Sequence, residues 1–150
     1  MANTQAVCTS YKVEALNGIH AFGTTVTRGS TAADTFRAAL YLSSATINAS
    51  TTAYTTTGEV TGTGYTAGGI TVTNATAPTS SGTTAFWTPS ASLAYTSVTI
   101  GPTDCVLIYN STQANRAVAA YTFSAQTVTA GTLTLTMPTN DATNALLRLA

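Results

Sequence analysis

The sequence predicts an all-β, mainly antiparallel fold of the β-sandwich or jelly-roll-like kind. Three observations predict it. Apolar and polar residues alternate at period two along much of the chain, the pattern of half-buried strands. Threonine supplies 35 of the 150 residues, and its β-branched side chain suits a pleated surface. Turn-forming residues cut the chain at frequent intervals, as in sandwiches.

The first element is the exception. Thr9 or Ser10 can cap a short helix over about 9–18, which Gly18 stops. Glu14 lies near its start, where the helix dipole favours an anion. Tyr11, Ala15 and Ile19 form a narrow apolar stripe on it.

From Thr35 the period changes to two. Phe36, Ala38, Leu40 and Leu42 face one way; Thr35, Arg37, Ala39 and Tyr41 face the other. Ile70 to Thr73, Ser97 to Ile100, Val118 to Phe123 and Thr132 to Met137 repeat the alternation. Cys105 to Tyr109 is a continuous apolar run, which fits a central strand covered on both faces. Ala145 to Leu149 reads as a final strand. Turn signals at 61–69, 74–84, Gly101-Pro102 and 138–141 separate these pieces. No composition shift divides the chain, so residues 1–150 read as one domain, a length at which roughly 70% of the unfolded surface is buried.

Charge is scarce. Five basic residues balance five acidic ones, and 7% of the chain is charged, against about 25% in ordinary soluble domains. Five scattered cations do not build the basic stripe that nucleic acid requires. One histidine and two cysteines do not complete a standard structural zinc site. No 18-residue apolar run is present to span a membrane, and no secretory signal pattern opens the chain. A neutral surface offers little mutual repulsion, and interface cores are depleted of charge. The composition therefore suits a subunit in contact with others, and also a monomer whose surface is polar through Thr, Ser and Asn.

Catalytic and cofactor patterns are not found. A triad would need His20, the single histidine, with Asp34 or Asp104 to orient it, but no Gly-x-Ser-x-Gly elbow accompanies it. The five acids offer no preferred glycosidase pair. Gly62 to Gly69 is glycine-rich but lacks the Lys-Ser/Thr of a phosphate loop, and a strand follows it. Tight turns with positive φ explain its glycines. No catalytic residue, cofactor or metal site is expected. Cys8 and Cys105 are expected as thiols, Cys105 in the core.

Ordered residues carry a resemblance. Tyr11 to His20, Asp34 to Tyr41, Tyr54, Gly64-Tyr65-Thr66-Ala67-Gly68-Gly69, Leu107 to Asn110 and Asn115-Arg116 together resemble small virion structural proteins of tailed bacteriophages. The resemblance implies a non-enzymatic, β-rich particle component, located in the virion and assembled in the bacterial cytoplasm. A capsid decoration or cement protein is the leading expectation; a neck or tail adaptor is the alternative. The implied partners are the phage major capsid protein or other virion subunits, and a homo-oligomer is expected. Nucleic acid and membrane are not expected partners. A reading of another class is a carbohydrate-binding module for host-surface glycans, built on exposed tyrosines.

The candidate interface is the segment from Thr51 to Gly69. Tyr54 and Tyr65 are suitable anchors, and Gly64, Gly68 and Gly69 let a partner's backbone approach. The competing reading has Tyr65 folding back as a plug over the end of the sandwich.

Overall fold

The computed structural model describes residues 3–8, 10, 11, 15, 19–22, 33–73 and 76–149. Eight strands lie among them, arranged as two antiparallel sheets of an all-β, sandwich-like fold. The strands are β1 (Ala6–Val7), β2 (Phe36–Leu42), β3 (Ile70–Thr71), β4 (Thr79–Ser81), β5 (Thr84–Trp87), β6 (Leu93–Asn110), β7 (Arg116–Leu135) and β8 (Leu147–Leu149). The larger sheet runs β1-β7-β6-β2-β3 and the smaller β4-β5-β8. The helix expected over about 9–18 falls largely outside the described residues; Ser10, Tyr11 and Ala15, the positions described there, are helical.

β6 and β7 form the backbone of the fold. They are one long hairpin closed by a turn at 111–115. Val106 pairs with Tyr121 and Leu107 with Ala120, while on the other side β2 pairs Leu40 with Val106. The apolar run Cys105–Tyr109 is therefore the central strand that its continuity predicts, and all of it is buried.

Three expected boundaries are different in the structure. Ser97–Ile100 and Cys105–Tyr109 belong to the same strand, because Gly101-Pro102 is absorbed as a register shift between Ile100 and Thr103. Proline is tolerated in strands at such bulges. Val118–Phe123 and Thr132–Leu135 likewise merge into β7. The 74–84 turn region contains β4, whose three residues are all exposed and so lack an apolar signature.

β2 also departs from simple alternation. Ala38, Ala39, Leu40 and Tyr41 are all buried. The segment after the strand covers its second face: Leu42 N–H donates to Gly58, and Val60 N–H donates to Leu40. The small sheet meets the large one through aromatic rings. Phe22 stacks on Phe36 at 4.5 Å and contacts Trp87 of β5 at 4.9 Å. The Trp87 indole N–H is satisfied by the Thr76 carbonyl at 3.0 Å, as a buried indole requires.

Candidate functional site

The segment 51–69 is irregular in secondary structure but tied down along its length. Tyr54 N–H donates to the Asn115 carbonyl, and Thr99 N–H of β6 donates to the Thr63 carbonyl. Isolated bridges pair Ala53 with Arg116 and Glu59 with Tyr41. These bonds carry the loop over the second face of β2.

Glu59 is the centre of this loop and is buried. Its Oε2 accepts the Tyr54 hydroxyl at 2.7 Å. Its Oε1 accepts the Tyr65 hydroxyl at 2.8 Å and the Gly68 N–H at 2.7 Å. A buried carboxylate is tolerated only with such partners. The Gly68 carbonyl in turn accepts the Tyr109 hydroxyl at 2.8 Å and Arg37 Nε at 3.1 Å. Arg37 Nη2 reaches the Gly69 carbonyl at 2.5 Å. Tyr54 stacks on Tyr109, and Tyr65 on Tyr95.

This environment holds the tyrosines in their neutral form. Burial, reinforced by Glu59, pushes the Tyr54 phenol up to about 12. Burial raises Tyr41, Tyr65 and Tyr95 as well. Desolvation is the leading cause at each, because it penalises the phenolate.

Four of the five residues singled out by sequence lie in or beside this network. Tyr54, Tyr65 and Gly68 converge on Glu59, and Gly69 is held by Arg37. Gly69 has φ +69°, and a Cβ there would lie 1.7 Å from the Ala38 carbonyl oxygen. Gly64 sits apart on the exposed tip, where the loop passes close to Ser97. Both tyrosines are half-buried, with their hydroxyls directed inward. Glu59 and Arg37 are the members that sequence reasoning missed. One signal was available: Glu59 is the single acid between Thr51 and Gly69.

A second polar cluster fastens the hairpin turn. Asp34 Oδ2 accepts from Asn110 Nδ2 at 2.8 Å and from Ala21 N–H at 3.0 Å, and Oδ1 accepts from Gln113 at 3.1 Å. Asn110 Nδ2 also lies 3.1 Å from His20 Nδ1. The Asn110 Oδ1 accepts the N–H groups of Thr112 and Gln113. Asn110 thus contacts both His20 and Asp34 through its Nδ2. Among the described residues no group of three or more His, Cys, Asp or Glu side chains is placed to hold a metal ion. Cys8 and Cys105 are both buried thiols, and burial pushes Cys105 up to about 12. Among the described residues no helix is long and apolar enough to cross a membrane.

Comparison with models of known protein families, with curated proteins and with solved structures finds no significant match to this chain.

Proposed function

We propose that the chain is a non-enzymatic structural component of a tailed-phage particle, a decoration or cement protein that docks on the capsid shell and stabilises it. The observation that carries this reading is the use the fold makes of its few charges. Asp34, Arg37 and Glu59 are bonded internally, where they brace a turn and a loop. Asp104 bonds to Asn3. The loop braced by Glu59 and Arg37 displays at its tip Thr61, Thr63, Gly64, Thr66 and Ala67, all exposed and none charged. A stiff, neutral, hydroxyl-rich surface suits desolvation against another protein, since charge is what interface cores exclude. Its rigidity limits the ordering cost of docking. Repetition over a shell makes modest affinity per copy sufficient.

Quantitative mass spectrometry of particles produced from the genome that encodes the chain tests the proposal. A decoration protein is recovered in stoichiometry with the major capsid protein. Recovery at only one small ring per particle supports the neck or tail adaptor instead. Absence from the particle removes both. Binding to host polysaccharide by the isolated chain, with no binding to shells, supports the carbohydrate-binding reading.

A further inference from the structure

Among the described residues, no strand pairs a long stretch of the outer edge of β7. β1 pairs β7 only at Ala119 and Ala120. Beyond them, no described strand pairs the edge of β7 that faces away from β6. Proteins ordinarily blunt such an edge with charge, proline or bulges. Bulges serve this purpose over the middle of β7. The register with β6 shifts between Thr122 and Gln126 and again between Val128 and Gly131, and Ala130 has φ 47°.

A further register shift lies between Gly131 and Leu133, and past it the end of β7 has none of these devices. Leu133, Thr134 and Leu135 hold an unbroken register with Tyr95, Ala94 and Leu93. No residue between Arg116 and Asp141 is charged, and Pro138 is the first proline. Thr132, Thr134 and Thr136 are exposed, Leu133 is buried and Leu135 half-buried. The stretch Thr132-Leu133-Thr134-Leu135-Thr136, which runs one residue past the end of β7, reads the same in both directions.

We propose that two copies of this chain pair antiparallel through this edge, about a twofold axis at Thr134. Thr132 of one copy then faces Thr136 of the other, Leu133 faces Leu135, and Thr134 faces its own counterpart. Threonine pairs across strands are favourable, and the leucines extend the inner apolar layer from one copy into the next. A slip of one residue would set leucine against threonine, which the alternation disfavours. The neutral edge carries no like-charge penalty. About a twofold axis at Thr134 the palindrome sets threonine opposite threonine and leucine opposite leucine along the whole stretch, a match that a second copy supplies by itself. Such an interface is self-complementary and closes at the dimer. The inference concerns the isolated chain and does not rest on the particle proposal.

The test is sedimentation velocity of the purified full chain over a micromolar range, without shells. The wild type is expected to show a concentration-dependent dimer. The variant T132K/T136K sets lysine against lysine twice, and its dimer is expected to weaken by more than about tenfold. The variant T132K/T136E sets lysine against glutamate and retains the dimer. A folded-state check by circular dichroism accompanies both, and a cross-link covers the case in which either fails to fold. Thr134→Cys should oxidise to a disulfide-linked dimer, because facing strand positions meet cystine geometry and Cys8 and Cys105 are buried. Thr83→Cys, on the exposed β4–β5 turn, should not. A monomeric wild type throughout the range overturns the proposal. So does a T132K/T136K dimer as tight as wild type, or cross-linking at 134 no greater than at 83.

Discussion

The Tyr65 hydroxyl stands 2.8 Å from a Glu59 carboxylate oxygen and also accepts the Leu40 backbone N–H at 2.9 Å. One side chain thereby joins the loop carboxylate to the central part of β2. The ring is stacked on Tyr95 of β6, so the same residue ties three segments together. This is the geometry of a plug, and it makes Tyr65 a determinant of stability whatever the loop binds. Tyr65→Phe keeps the ring but deprives the Leu40 N–H of its acceptor and Glu59 of a donor, at an expected cost of about 1–3 kcal/mol. Tyr65→Ala should cost roughly 3–5 kcal/mol. Urea denaturation of both variants measures the difference; unchanged midpoints would remove Tyr65 from the framework of the fold.

Glu59→Ala should be at least as damaging. It strands the Tyr54 and Tyr65 hydroxyls and the Gly68 N–H. Each hydrogen bond to a charged group contributes about 1.5–3 kcal/mol, and the three act as a coupled set. A loss above about 3 kcal/mol is expected from the same measurement.

Two glycines with similar backbone angles should respond differently to alanine. At Gly69 the added methyl meets the Ala38 carbonyl at 1.7 Å, so β2 or the loop must move. At Gly82, with φ +57°, nothing lies within 4 Å. Gly82→Ala then carries only the left-handed strain, roughly 1–2 kcal/mol. Gly69→Ala should prevent folding or lower the melting temperature far more. Equal shifts would mean that the close approach at Gly69 relaxes freely.

Stability should fall on the alkaline side. Burial raises Cys105 from 9.0 to about 12, and Tyr11 and Tyr54 from 10.0 to about 12. Tyr41, Tyr65, Tyr95 and Tyr121 are raised as well. In the unfolded chain these groups ionise near their ordinary values, whereas the fold keeps them neutral. Their contribution is therefore complete below about pH 9 and is lost as pH rises from there through the folded-state values. Denaturation midpoints measured from pH 7 to 11 should decline steadily above pH 9. Alkylation of Cys105 at pH 8 should wait for unfolding.

The strands were legible where local pattern and burial agree. Cys105–Tyr109 announces a central strand because every residue in it is apolar and every residue is buried. Phe36–Leu42 was legible as a strand, but not as one covered on both faces. Its second cover is a loop with no periodicity, held by hydrogen bonds from residues far along the chain. Gly101-Pro102 looks like a break because glycine and proline usually are one; only the pairing with β7 on both sides of it shows the strand continuing. β4 was invisible because all three of its residues face solvent. At the candidate site, the tyrosines and glycines stood out by type. Glu59 did not, because a lone acid in sequence gives no sign that three donors from separate positions converge on it.

The proposal that the 51–69 loop docks on a shell can be separated from its role in stability. Tyr54 and Tyr65 hold their hydroxyls inside, on Glu59, so truncating them mixes the two effects. The exposed residues of the tip do not have this problem. Thr63 and Thr66 are both exposed, and no side-chain bond at either braces the Glu59 network. Surface substitutions away from buried features usually stay within about 0.5 kcal/mol. Thr63→Arg and Thr66→Arg should therefore melt near the wild type. At a docking surface, however, each would bring a bulky charge into a neutral contact, where burying an unpaired charge is costly. Co-sedimentation of the variants with capsid shells should show binding reduced by about tenfold or more, which corresponds to 1.4 kcal/mol. Normal binding by both variants, with melting unchanged, would move the docking surface away from the loop tip and leave the segment as a cover for β2.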